Sequence, residues 1–397
     1  MRRAPALSFL LVTVVLDMLG LGLVVPVVPA LLADVAGDAA AAARWSGLLG
    51  SVYGLLQFVV SPLLGRLADR YGRRPVLLVS LGCLGVDWLA HAVSPGAWTL
   101  LLFHAIAGAC AGTYTVVNAY LADVTAPEAR AHAYGLVGAA FGLGFVAGPV
   151  VGGLLGTVDV RLPFLAAAAL CSANVGYGWF VLPESRPGDR RTPLTLRTAN
   201  PVSAIAVVLR RPVLGRLAYA RLCADVARMT HQSTWTFFLT HQFAWGTARI
   251  GTVLAAGALA GALFQAAAVG PVVRRLGDKR AAVIGGLLGV VALTGTAFVT
   301  VPWSLHLLQA VGVLAATGGA ATQSWLSRLV RPDEQGRVQG ALTSIGAAAE
   351  TMVPVAAGVV FAWSLANAAP GLVFVGAAVF AAGSTLLLAT TPDLRQP

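Results

Sequence analysis

Charge is scarce in this chain. Only 11% of its 397 residues are Asp, Glu, Lys or Arg, against 57% hydrophobic, and the mean hydropathy is +0.79. So much apolar surface has to meet lipid, which excludes a soluble globular fold. Lysine is nearly missing: Lys279 stands alone, and arginine carries the other fixed positive charges. With abundant alanine, that bias hints at a GC-rich bacterial gene. Cysteine is rare too. Cys83, Cys110, Cys171 and Cys223 fall inside apolar runs without paired spacing, which argues for small buried residues rather than disulfides or ligands. The sequence shows no catalytic triad, metal-ligand cluster, phosphate loop or cofactor fingerprint. It gives no ground for assigning an enzyme activity, a metal or a cofactor.

Long apolar runs dominate instead. With about 20 apolar residues needed per span, turn and charge clusters divide the chain into twelve helices. These lie at about 6–32, 45–64, 76–93, 98–120, 132–155, 162–182, 212–240, 248–270, 281–300, 303–327, 338–362 and 368–389. The long polar stretch, 183–211, reads as a cytoplasmic linker between bundles at 1–182 and 212–397. The net charge of +11 invites a nucleic-acid reading, but its distribution speaks against one. Basic residues crowd alternate loops, while the intervening loops carry only Arg44, Arg161 and Arg249. By the positive-inside rule both termini and the linker are cytoplasmic, in a multi-pass protein of the cell membrane. The run after Met1-Arg2-Arg3 resembles a signal peptide, but it is too long and Asp17 interrupts it, so it reads as an uncleaved first helix.

Between helices 2 and 3 runs Gly65-Arg-Leu-Ala-Asp69-Arg70-Tyr-Gly72-Arg73-Arg-Pro75, read as a tight turn on two glycines with one acid among arginines. Gly270 to Arg280 repeats the glycine spacing between helices 8 and 9, as expected of a duplicated half. In helix 5, Gly144, Gly148 and Gly152 recur every four residues and form a side-chain-free stripe for close helix packing, followed by Gly153. The loop resembles the signature of the major facilitator superfamily. The order Gly-x-x-x-Gly148-Pro149-x-x-Gly152-Gly153 resembles the antiporter signature of its drug/proton exporters. The likeness is to the tetracycline/proton antiporters in particular. It runs through Leu16-Asp17-Met18, Val86-Asp87-Trp88, Leu121-Ala122-Asp123, Leu182-Pro183-Glu184-Ser185, Trp235 to Trp245, Phe264-Gln265-Ala266 and Gln339-Gly340.

This resemblance implies an all-α membrane protein of twelve helices in two pseudo-symmetric six-helix bundles, exporting a small organic molecule against protons by alternating access, as a monomer. Self-protection by export of a biosynthetic product is the rival reading within transport. A transporter fold retooled as an enzyme or scaffold is the rival outside it. The resemblance also implies that Gly65, Asp69, Arg70, Gly72 and Arg73 form a conformational gate. In that gate Asp69 is expected to meet Arg337 first and Arg130 second. The sequence departs from the pattern at three places: Gly289 stands where an acid is expected, Gly261 where a histidine is, and His104 where an arginine is.

An ionised side chain inside the bilayer costs about 2.5–3.5 kcal/mol on the insertion scale, so each one needs a reason. Asp17 and Asp87 fall near mid-membrane, and Glu350 lies midway along helix 11, four residues before Pro354. The three are the candidate proton-coupling acids, with structural hydrogen bonding as the alternative. In helix 7, Arg221, Asp225 and Arg228 fall at i, i+4 and i+7 on one face, with His231 close by. Two cations for one acid leave surplus positive charge, fit either for an anionic group of substrate or for a purely structural network. His104, Gln57 and Gln265 complete the candidate cavity. Trp88, Tyr114, Tyr177, Trp235, Phe237, Phe238 and Trp325 are available to stack on a planar drug.

Overall fold

The computed structural model describes residues 4–125, 129–185, 208, 210–330 and 335–392, with the side chains of 4–6, 130, 131 and 335–337 outside that description. The described residues are overwhelmingly helical, and no strand occurs among them. By contacts the chain divides into two compact units, Met1–Arg197 with Trp245–Ala258, and Thr198–Ala244 with Leu259–Pro397.

In the first unit the helices are α1 (Ala4–Val24), α2 (Val28–Ala36), α3 (Ala39–Tyr71), α4 (Arg73–Val93), α5 (Ala97–Ala109), α6 (Thr113–Val124), α7 (Arg130–Leu155) and α8 (Leu162–Val181). The first expected helix is therefore broken. Pro26 has no amide hydrogen to continue the ladder, and the chain restarts at Val28 with Pro29 in its first turn, where the missing donor costs nothing. The second is longer than expected. Asp38 caps α3 by accepting from the Ala41 amide at 2.7 Å, and the helix runs on through Gly65 to Tyr71. Only Gly72 makes the turn, at φ +109°. Gly65 is helical, so the two-glycine turn read from the sequence is a one-glycine turn.

The fourth expected span breaks at Cys110–Gly112 into α5 and α6. Glycines there allow close approach. A Cβ on Gly108 would lie 2.8 Å from the Tyr53 backbone, and one on Gly112 would lie 3.0 Å from Leu64 and 3.1 Å from Ser80 Oγ. α1 packs on α7 and α8, α4 on α8, and α3 on α5.

The second unit holds α9 (Pro212–Phe243), the latter part of α10 (Thr247–Phe264), a π-turn at Gln265–Val269, α11 (Gly270–Leu276), α12 (Asp278–Ala297), α13 (Pro302–Arg328), α14 (Gln335–Ala366) and α15 (Leu372–Thr390). α12 packs on α13 and α15, and α9 on α14 and α15. Gly277 turns at φ +78° as Gly72 does. Among the described residues eleven segments are long and apolar enough to cross a membrane, counting α5 with α6 and α10 with α11. α9 is the exception. At 32 residues it has the length of a span, but Arg216, Arg221, Asp225, Arg228, His231 and Gln232 depress its hydropathy. Asp225, Thr230 and Thr234 are buried, while Arg216, Arg228 and Gln232 are exposed.

Candidate functional site

Each unit holds a buried carboxylate between two basic side chains. In the first, Asp87 on α4 is fully buried. Its Oδ2 lies 2.8 Å from His104 Nδ1 on α5, and its Oδ1 lies 3.3 Å from His91 Nδ1 one turn along α4. The second approach is an ion-pair distance without hydrogen-bond geometry. His91 Nδ1 donates at 2.9 Å to the Asp87 main-chain carbonyl instead, and Asp87 Oδ1 has no hydrogen-bond partner among the described residues. The rings are braced by neighbours. His91 stacks on Phe164 at 5.6 Å and 11°, and His104 lies 4.9 Å from Tyr53. Asp17 on α1 is also buried, with an Oδ1 that no described residue satisfies. Tyr53 and Cys171 lie within electrostatic reach of both acids.

In the second unit, Asp225 takes Arg221 Nε at 2.9 Å on Oδ2 and Arg228 at 3.3 Å on Oδ1, so the helical spacing does bring the trio together. The network then extends past what the spacing shows. Arg228 also stands 3.7 Å from Glu350 on α14. Arg221 donates to Gln323 at 3.3 Å, and Gln323 donates to Gln339 at 2.9 Å. Glu350 supplies the second negative charge, so the surplus positive charge expected on α9 is balanced. His231 leaves the charged stripe. It stacks on Trp235 at 4.5 Å and faces Phe374 at 5.8 Å, which makes it a member of an aromatic core.

At the turn between α3 and α4, Asp69 pairs with Arg73 at 2.7 Å, and Arg73 Nε reaches Asp123 on α6 at 3.2 Å. The side chains of Arg130 and Arg337, the expected partners of Asp69, lie outside the described residues. Glu184, just past α8, accepts from the amides of Arg73 and Arg74 at 2.8 and 3.2 Å. It caps the start of α4, where Gly72 has no side chain to do so. A Cβ on Gly72 would collide with that carboxylate. Arg70 lies over Tyr71, and Arg74 donates to the Trp179 carbonyl.

The glycine stripe works as a backbone contact on two sides of α7. A Cβ on Gly144 or Gly148 would lie 2.6 Å from Val15 O or Gly22 Cα of α1, and one on Gly152 would run into the Leu23 carbonyl. On the other side Gly153 accepts from Thr247 Oγ1 at 2.9 Å, and a Cβ on Gly251 would run into the Pro149 carbonyl. Gln57 is half-buried on α3, and Gln265 is exposed at the π-turn. Trp88, Trp235, Phe237, Phe238 and Trp325 are buried among apolar neighbours, and Tyr177 stacks on Phe9. These aromatics are core, while Tyr114 is exposed. A pocket against α1, α7 and α8 is lined by Leu19, Leu23, Val151 and Leu170 with alanines, and offers no polar contact. The sequence raised no expectation for His91, although Asp87-x-x-x-His91 is one helical turn, and it placed Glu184 only in the family likeness, without a capping role.

Membrane-length helices with the carboxylates Asp17, Asp87 and Asp225 buried among them mark a multi-pass membrane protein. The family model "Major Facilitator Superfamily" matches residues 10–349 and 217–397. The chain is 37% identical to the Tetracycline resistance protein, class C, of Escherichia coli over 399 residues, covering 100% of this chain and 98% of that protein. It is 35% identical to the class E protein of Escherichia coli, covering 84% of this chain and 82% of that one. The solved nucleoside transporter NupG shares the fold at a TM-score of 0.77 and 13% identity, with 98% of each chain covered. The human organic anion transporter MFSD10 does so at 0.68 and 24%, covering 98% of this chain and 100% of that one. The chain belongs to the major facilitator superfamily and is similar to its tetracycline resistance proteins.

Proposed function

We propose that the protein exports a small organic molecule, a drug, antibiotic or natural product, across the bacterial cytoplasmic membrane in exchange for protons, by alternating access with both termini in the cytoplasm. The observation that carries this reading is Asp17, a buried carboxyl on α1 with an oxygen that no described residue satisfies. Such a group needs a proton or a cationic partner, and a substrate that competes for the same space couples its own movement to the proton's. Glu350 is the second candidate, because it is half-exposed and its 3.7 Å contact to Arg228 is loose. Asp87 already has two histidines around it and is the least free of the three.

Tetracycline is the first substrate to test, on the strength of the relatives' names. Gly261, Gly289 and His104 depart from the tetracycline pattern, so the panel includes zwitterionic and acidic compounds. The charge-balanced network at Arg221, Asp225, Arg228 and Glu350 suits a molecule that presents both signs. Purified protein in liposomes with an imposed proton gradient is expected to accumulate at least one member of the panel and to exchange it without the gradient. Absence of gradient-driven uptake for every compound, with binding retained, would overturn proton-coupled export. Arg228→Gln is expected to weaken zwitterion binding and spare neutral compounds.

A further inference from the structure

His91 and His104 turn the Asp87 cluster into a set of metal ligands. One carboxylate oxygen of Asp87 and one ring nitrogen from each histidine all lie within 4.8 Å of one another. Asp87 and His91 sit one turn apart on α4, so a single helix face presents two of the three donors, and α5 brings the third. His104 Nδ1 stands 2.8 Å from Asp87 Oδ2, and His91 Nδ1 stands 3.3 Å from Asp87 Oδ1. Around a four-coordinate ion with bonds of about 2.0–2.2 Å, neighbouring ligand atoms stand about 3.3–3.5 Å apart. The His91 pair already stands at that spacing, and only the shorter His104 pair has to widen.

A second observation points the same way. Asp87 is fully buried, yet its Oδ1 has no hydrogen-bond partner among the described residues, an unspent lone pair in an apolar surrounding. The Nδ1 proton of His91 goes to the Asp87 main-chain carbonyl at 2.9 Å, since a carbonyl can only accept. Ligation through Nδ1 moves that proton to Nε2, leaves the ring neutral and gives up one hydrogen bond, while the ion satisfies Oδ1. Phe164 and Tyr53 hold the two rings in place. Two imidazoles and one carboxylate suit Zn(II), Co(II), Ni(II) or Cu(II), whereas Mg(II) and Ca(II) prefer oxygen shells. The His104 side chain is 17% exposed, so the fourth position opens on that side. We propose that Asp87, His91 and His104 form a three-ligand site for a divalent transition ion, with the fourth position left to water.

The test uses the full chain, purified without a polyhistidine tag, stripped with chelator and titrated with Co(II), then with Zn(II) in competition. One ion per chain is expected, with the visible absorption of four-coordinate Co(II). Affinity is expected to fall about 10–100-fold or more in His91→Gln and in His104→Gln. Zn(II) is expected to raise the Tm of the wild type and to leave that of the folded variants unchanged. On the wild type itself, spin-echo spectroscopy of bound Cu(II) counts coordinated imidazoles and is expected to return two. That count keeps the test decisive even if a variant fails to fold. No bound ion, fewer than two imidazoles, or a spectrum that persists in the folded variants would overturn the site.

Discussion

Asp87 in the first unit and Asp225 in the second are both buried carboxylates clamped by two basic side chains, and they differ in what does the clamping. Imidazoles hold Asp87. They can exist without charge and offer a lone pair to a metal. Guanidiniums hold Asp225. They keep their charge at any physiological pH, donate in a fixed fork and have no lone pair to offer. One clamp can therefore change its occupant, while the other has a fixed electrostatic state. Glu350 and the Gln323–Gln339 pair reinforce that fixity by giving each arginine a further partner.

The largest effect is expected from breaking the fixed clamp. Arg221→Gln with Arg228→Gln strands a buried carboxylate, for a loss of about 3–5 kcal/mol if no water reaches it. Yield and thermal unfolding in detergent would record it. Adding Asp225→Asn is expected to restore most of the loss, since no unpaired charge then remains. A double variant as stable as the wild type would show that Asp225 is not held by its arginines and would end the contrast between the clamps.

A smaller effect is expected from His104→Arg, which gives the first unit a guanidinium like those of the second. An arginine can reach the Asp87 carboxylate and keep it paired, so folding is expected to hold, while Co(II) binding disappears. Retained Co(II) binding would break the distinction between the two kinds of partner. The smallest effect is expected at the turns. Glu184→Gln removes the anion that caps α4 and is expected to cost about 1–2 kcal/mol. In the second unit α12 begins with its own acid, Asp278, paired to Arg328 at 3.1 Å, and Arg328 is mostly exposed. Asp278→Asn is therefore expected to cost less. Equal losses at the two turns would remove that difference.

Much of the second clamp could be read in the sequence, because its three members share one helix and spacing alone places them on one face. Glu350 and the glutamines could not, since they come from α13 and α14 and only tertiary packing brings them near. The first clamp was half legible. Asp87 and His104 stood out singly, but their pairing crosses between helices, and the small step from Asp87 to His91 gave the only local signal. Helix existence was clear from apolar length. The breaks at Val24–Val28 and Cys110–Gly112 and the extension of α3 were hidden, because turns inside an apolar run depend on what packs against them. The glycine stripe was legible as a close contact, although its partner, α1, was not.

Drug uptake into inverted membrane vesicles under an imposed proton gradient, compared between wild type and Asp17→Asn, tests the central claim most directly. The wild type is expected to accumulate substrate. The variant is expected to lose gradient-driven accumulation yet keep downhill exchange, because the carrier still turns over without titrating that carboxyl. A full response to the gradient in Asp17→Asn would contradict the assignment and move the proton-carrying role to Glu350.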